Sequence, residues 1–253
     1  MLKDKVCIVT GAASGIGLAV SEVFAQDGAK VVMADVNEAK LKEEAERIGA
    51  VYFTGDLSKQ EACKGLVDFA AEQYSKVDVL VNVAGIQTVS PIDEFPEDKW
   101  NFMIDLMLTA PFLLTKYCWP YMKEQGWGRI INLGSIHGLI ASEYKVAYIA
   151  AKHGLGGLTR TAAVEGGQYG ITCNMICPSY VRTPLVDKQI ADQAKNHGIP
   201  EEQVISDIML TKAFVKKLLE PKDVAETAKF LCSDTGDYIT GSMFTIDCGW
   251  TAS

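Results

Sequence analysis

The stretch from Lys5 to Gly28 narrows the possible folds more than any other. KVCIVT (5–10) is a short, nearly continuous apolar run rich in β-branched residues. That pattern is expected of a strand buried on both faces of a parallel sheet. It passes directly into TGAASGIG (10–17), and then into a helical pattern, LAVSEVFAQDG, that ends at Gly28. A glycine-rich loop becomes informative when a strand precedes it and a helix follows it. Gly11 allows a tight turn, Gly15 allows a ligand close to the backbone, and Gly17 lets the helix pack on the strand. The free N–H groups at the helix start, together with the helix dipole, favour a pyrophosphate at this place.

The same rhythm continues. Residues 31–35 (VVMAD), 51–54, 76–83 (KVDVLVNV), 129–134 (RIINLG), 171–177 and 244–247 read as further strands. Helical patterns separate them, over 38–49, 59–74, 98–123 and 148–167. This alternation predicts an α/β fold, a doubly wound parallel sheet of seven strands with right-handed crossovers and helices on both faces. Pro111 should kink the long helical region or mark a boundary in it. The span from Pro184 to Pro221 breaks the rhythm, being polar and helical with no strand. An insertion of that length after a strand's carboxyl end is expected to act as a lid over a ligand site, at about 184–220; the alternative is an exposed helical hairpin. No repeat, low-complexity tract or linker is visible, so residues 1–253 are expected to form one domain.

Asp35 ends the second strand, 24 residues after Gly11. A carboxylate near this offset binds the ribose hydroxyls of a dinucleotide and repels a 2′-phosphate, which favours NAD over NADP. Asp35 or Asn37 can also cap the next helix, and Asn37 is the better cap. Asp56, after the third strand, has two readings: contact with an adenine amino group, or a cap for the following helix. Seven cysteines, an odd count, lie mostly in apolar runs and read as buried free thiols in a reducing compartment. No second Cys/His pair stands near Cys173 and Cys177, so no metal site is expected. A net charge of −8 argues against nucleic-acid or anionic-membrane partners. The absence of a leader pattern or an eighteen-residue apolar run points to a cytoplasmic protein with no membrane span.

The second informative stretch is SIHGLIASEYKVAYIAAK (135–152). Tyr148 and Lys152 stand at i and i+4, one turn apart on one helix face. An ammonium so close to a phenol should lower the phenol's pKa and fit it for acid–base work on an alcohol or ketone. Ser135 can hold the reacting oxygen. Alone, a Tyr and a Lys one turn apart are common on helices, and the glycine loop is what gives the pair weight.

TGAASGIG, Asp35, NVAG (82–85), Ser135, YIAAK (148–152) and TGSMFTIDCG (240–249) together resemble the short-chain dehydrogenase/reductase family along the whole chain. The resemblance implies a Rossmann-type fold, NAD(P)-linked interconversion of an alcohol and a ketone, and Ser135, Tyr148 and Lys152 as catalytic residues. It implies that the dinucleotide meets Gly11, Ser14, Gly15, Ile16, Gly17, Asp35, Asp56, Leu57, Asn82, Ala84, Gly85, Tyr148, Lys152, Pro178, Val181 and Thr183. Residues 85–100, 127–139 and 177–190 are similar to the group of that family that acts on D-3-hydroxybutyrate in ketone body metabolism. That similarity implies a small hydroxy acid or keto acid bound by Gln87, Ser135, His137, Lys145, Tyr148 and Gln189. Lys145 supplies the cation that a carboxylate needs, and the other polar groups supply directed donors. A polyol, a cyclic ketone or a 3-oxoacyl thioester is the alternative substrate, and a non-catalytic NAD-binding protein is the remaining alternative. Two positions depart from the family pattern. Val83 stands where a second Asn is usual, and Met107 stands where an Asn holding a relay water is usual. The proton must then leave by a shifted water or a backbone carbonyl, or turnover is lower. The family also implies an assembly on the long crossover helices, expected to be a homotetramer.

Overall fold

A computed structural model describes residues 1–252, apart from the side chains of Leu185, Lys188, Asp192, Gln193, Asn196 and His197. Ser253, the last residue of the span expected to form one domain, lies outside the described residues. In chain order the elements are β1 (Val6–Thr10), α1 (Gly15–Gln26), β2 (Lys30–Asp35), α2 (Glu38–Ile48), β3 (Val51–Thr54), α3 (Gln60–Tyr74) and β4 (Val79–Asn82). Then come α4 (Glu97–Ile104), α5 (Ala110–Gln125), β5 (Gly128–Leu133), α6 (Val146–Gly166) and β6 (Ile171–Pro178). The chain ends with α7 (Pro184–His197), α8 (Glu201–Val204), α9 (Pro221–Leu231) and β7 (Met243–Ile246).

The seven strands form one sheet in the order β3-β2-β1-β4-β5-β6-β7, and every pairing is parallel. Chain order reverses between β1 and β4, so the crevice beyond their carboxyl ends is where a ligand is expected. The apolar strand runs follow from burial on both faces. Cys7 and Val9 of β1 pack with α1, α2 and α9, while Val6 and Ile8 pack with α3, α5 and α6.

Most boundaries shift by a residue or two from the sequence reading, and three regions differ in kind. β4 begins at Val79 rather than Lys76. Asp78 is fully buried, and its carboxylate accepts from Val6 N–H (2.8 Å) and pairs with Lys5 and Lys76, so residues 76–78 form an ion cluster at the strand's foot. The region read as helix over 98–123 runs from 97 to 125 with a π turn at Asp105–Thr109. Pro111 follows the π turn directly at the start of α5, so it marks a boundary within a continuous helical run, and Pro120 lies inside the helix. The insertion after β6 contains α7, α8 and a second π turn at Ile205–Met209, with a small core of Val186, Ile190, Val204 and Met209. One isolated bridge, Val181 to Leu219, ties the two ends of this insertion together.

Candidate active site

Main chain forms the first end of the site. Gly11 and Gly15 adopt φ of +63° and +56°, which side chains tolerate poorly. A Cβ on Gly17 would lie 2.2 Å from the Gly11 carbonyl oxygen, so only glycine lets α1 pack so close to the loop. Ser14 stands at the N-cap of α1 but gives the helix no side-chain hydrogen bond, and the first turn holds no acidic residue. Its N–H groups therefore face the crevice without a side-chain partner, as a diphosphate site needs. At the end of β2, Asp35 accepts from Ala13 N–H (3.1 Å) and from Asn37 N–H (3.0 Å), which fixes the carboxylate beside the loop. Asn37 caps α2 through Lys40 N–H, at 3.2 Å. Thr10 Oγ1 accepts from Val83 and Ala84 N–H groups (2.9 and 3.1 Å), tying the turn after β4 to the glycine loop. Val83 thus serves through its backbone, which a valine supplies as well as an asparagine.

A cavity of about 340 Å³ runs from this loop along the carboxyl ends of the strands. Of the residues expected to meet a dinucleotide, its wall includes Gly11, Ser14, Gly15, Ile16, Gly17, Asp35, Ala84, Gly85, Tyr148, Lys152, Pro178, Val181 and Thr183. All six residues expected to meet substrate lie on the same wall: Gln87, Ser135, His137, Lys145, Tyr148 and Gln189. Asp56, Leu57 and Asn82 are not on it. Asp56 accepts from Ser58 N–H (3.0 Å) in the turn before α3, Leu57 is packed in the core, and Asn82 donates to Asn132 Oδ1 (2.8 Å).

Ser135 follows β5, and its Oγ accepts from His137 N–H (3.2 Å) and lies 3.4 Å from His137 Nδ1. Tyr148 and Lys152 sit on α6 as their spacing requires. The expected lowering of the Tyr148 pKa is not found, however. Burial raises it, and a hydrogen bond from Ser135 pulls it only partly back. The reason is where the lysine goes: Lys152 Nζ donates to the Leu133 carbonyl (2.6 Å) and stands 5.5 Å from the centre of the Tyr148 ring. Burial also lowers Lys152 itself, to about 8. The face of α6 that bears Ala147, Tyr148 and Ala151 packs on Met103 and Met107. Met107 is 1% exposed, sits in the π turn and touches the Gly85 region, so this position holds a thioether in an apolar layer.

The other end of the cavity is polar and under-satisfied. Both amide atoms of Gln87 are buried without a partner among the described residues. Lys145 is half-buried, has no ion-pair partner among the described residues, and is lowered by burial. His137 is nearly buried and held neutral, at about 4, by that burial and by the charges of Lys145, His153 and Lys212. Its ring meets Tyr148 edge-on at 6.2 Å. Ser179 and Tyr180, between the expected contacts Pro178 and Val181, also line the wall, and so does Val186, which was not singled out. The Ser179 hydroxyl is buried without a partner, and Tyr180 packs on Trp250 at 5.8 Å. The resemblance marks the segment around Ser179 and Tyr180 as ligand-facing, and nothing in its pattern says which side chain turns inward.

Residues 11–251 match the family described as enoyl-(acyl carrier protein) reductase. D-beta-hydroxybutyrate dehydrogenase from Rhizobium meliloti is 41% identical over 98% of this chain and 99% of its own length. The enzyme of the same name from Cupriavidus necator is 39% identical over the full length of both. A 3-oxoacyl-(acyl-carrier-protein) reductase from Thermotoga maritima is 33% identical over 98% of each chain. Among the described residues, no helix is long and apolar enough to cross a membrane, and no group of three or more His, Cys, Asp or Glu side chains is placed to hold a metal ion.

Proposed function

The chain belongs to the short-chain dehydrogenase/reductase family, whose members use NAD(P), and on that premise we propose that it interconverts D-3-hydroxybutyrate and acetoacetate with NAD. One observation carries the choice of a small acid. Lys145 and Gln87, a cation without an ion pair and an amide without partners, share a cavity wall with Ser135, Tyr148 and Lys152. A buried amide left unsatisfied is destabilising, so its retention is understandable if a ligand satisfies it. The two relatives named for this substrate, at 41% and 39% identity, support the same reading.

The residues present fit a dinucleotide. The start of α1 carries no side-chain cap and no acidic residue in its first turn, and Asp35, held beside the loop by Ala13 N–H, is the candidate for the adenosine ribose. Its fixed negative charge favours NAD over a 2′-phosphorylated cofactor. When bound, the nicotinamide supplies the hydride acceptor. Ser135 holds the substrate's reacting oxygen, and Tyr148 Oη takes the hydroxyl proton. Tyr148 does so as the phenolate and returns to the phenol, and Lys152 contributes its charge beside that phenolate. Lys145 binds the carboxylate, with Gln87, His137 and Gln189 supplying directed hydrogen bonds. The insertion at 184–220 closes over the cavity as a lid and expels water, which strengthens each of these contacts. Residues 1–253 act as one domain, assembled as a homotetramer through the long crossover helices. Partly exposed Trp100, Phe102, Phe112 and Val164 on those helices support that assembly.

The test is reduced-nicotinamide absorbance with NAD and the separate D- and L-acids, beside Tyr148→Phe. Turnover of the D-acid that Tyr148→Phe abolishes is the expected result. Turnover confined to an uncharged secondary alcohol would overturn the substrate assignment while leaving the oxidoreductase chemistry standing.

A further inference from the structure

The residue before Lys145 is held in an unusual backbone conformation. Tyr144 has φ of +65°, one of four described non-glycine residues in the left-handed region, beside Asp4, Ser75 and Cys248. A bulky aromatic in that region is an outlier, because its Cβ crowds the following carbonyl. Its side chain is 53% exposed, so packing of the ring does not explain why the strain is kept. The backbone around it does. The turn at Tyr144 delivers the chain into α6, with Lys145 at the N-cap and Tyr148 one turn further on. The Tyr144 carbonyl accepts from Ser90 N–H at 3.0 Å. Ser90 belongs to the loop that carries Gln87, and Lys145 and Gln87 line the same cavity. Lys145 is not spent on capping α6, since its side chain makes no hydrogen bond to the helix start. One left-handed residue and one backbone hydrogen bond therefore join the two loops that bear the unpaired cation and the unpaired amide.

We infer that Tyr144 is a positioning residue for carboxylate recognition: its left-handed backbone, clamped by Ser90, sets Lys145 and Gln87 together on one wall. Strain kept at a binding site when the surroundings over-determine it is a known way to fix geometry in advance of the ligand. The inference rests on Lys145 being the substrate's cation, and the test separates the two.

The experiment measures KM and kcat for D-3-hydroxybutyrate, KM for butan-2-ol as an uncharged comparator, and the NAD dissociation constant by fluorescence. The variants are Tyr144→Gly, Tyr144→Asn, Tyr144→Ala and Tyr144→Val, with Lys145→Ala as the reference. Gly and Asn accept a positive φ, Ala resists it, and β-branched Val resists it most. KM for the acid is expected to stay within about twofold in the Gly, Asn and Ala variants, since Ala resists the conformation no more than the native Tyr, and to rise in Val, reaching about tenfold, the effect of a backbone bias near one power of ten. The acid's kcat, the butan-2-ol KM and the NAD constant should not follow that order. If Val fails to fold, Tyr144→Thr, which is also β-branched, takes its place in the order. A flat series, or a rise shared by butan-2-ol, overturns the positioning role even when Lys145→Ala raises the acid's KM. An acid KM unchanged by Lys145→Ala overturns the carboxylate reading, and the inference with it.

Discussion

The two ends of the cavity are made differently. At the β1–α1 turn the ligand surface is main chain, set by Gly11, Gly15 and Gly17 and by the uncapped start of one helix. At the other end it is side chain, drawn from the loop after β4, the loop after β5, the start of α6 and α7. The first end comes from one contiguous segment, and its geometry is fixed by covalent neighbours. The second has meaning only after the sheet has brought four segments together. The first should therefore fail by collision and the second by loss of individual contacts.

The largest effect expected is at Gly17. A methyl there would stand 2.2 Å from a backbone carbonyl that cannot yield, so Gly17→Ala should abolish NAD binding in titration calorimetry. Retained binding would mean that the loop is more plastic than the packing of α1 on β1 implies. Tyr148→Phe comes next. It should lower kcat by about 10²–10⁴, the usual contribution of a positioned acid–base group, while leaving the NAD constant unchanged. A parallel loss of NAD affinity would break the division between the two ends.

The same division decides what could be read from the chain. β1 and its glycine loop were legible because a strand buried on both faces is an unbroken apolar run, and because glycine is the only residue that fits the turn. Ser135, Tyr148 and Lys152 were singled out by spacing together with the glycine loop, and the structure brings the three to one cavity wall. What Lys152 does was not legible, since its ammonium reaches the Leu133 carbonyl across the site and burial, not charge, dominates the phenol. Nor was the π turn at Met107, because one extra residue in a helical turn leaves no mark on an apolar pattern. Asp56, Leu57 and Asn82 adjoin strand ends that face the crevice, yet they turn into helix-start and core contacts. Sequence position alone does not separate a strand end from the direction of its side chains.

A smaller effect should appear in acid, and it belongs to the substrate end. His137 titrates near 6.5 when unfolded and only at about 4 in the folded protein. Between those values the unfolded chain binds more protons, so stability rises with pH across the window and is complete above it. The contribution is on the order of 3 kcal/mol. In urea melts from pH 4 to 7, His137→Gln should flatten that slope. An unchanged slope would assign the acid sensitivity to carboxylates elsewhere.

Gln87→Leu should separate stability from recognition at the same end. Two buried polar atoms without partners destabilise the free protein, so removing them should raise the melting temperature by an amount equivalent to about 1 kcal/mol. The same change should raise KM for the acid about tenfold, as one directed hydrogen bond to a charged ligand is lost. A variant that is both less stable and weaker in binding would show that Gln87 already has a partner in the free protein.

Ser179 offers the finest division, because it is a side chain at the end of the cavity where the dinucleotide is expected. It follows Pro178 at the carboxyl end of β6, lines the cavity, and its hydroxyl is buried without a partner. If the dinucleotide supplies that partner, Ser179→Ala should weaken NAD binding about threefold, since a neutral hydrogen bond nets well under one power of ten. The free protein should become slightly more stable, and kcat should hold. If instead acid affinity falls and NAD affinity does not, the hydroxyl serves the substrate, and the side-chain end of the site extends one strand further than the wall around Gln87 and Lys145. Either way the two changes have a common origin, since the destabilisation relieved in the free protein is the same orphaned hydroxyl that a ligand would otherwise satisfy.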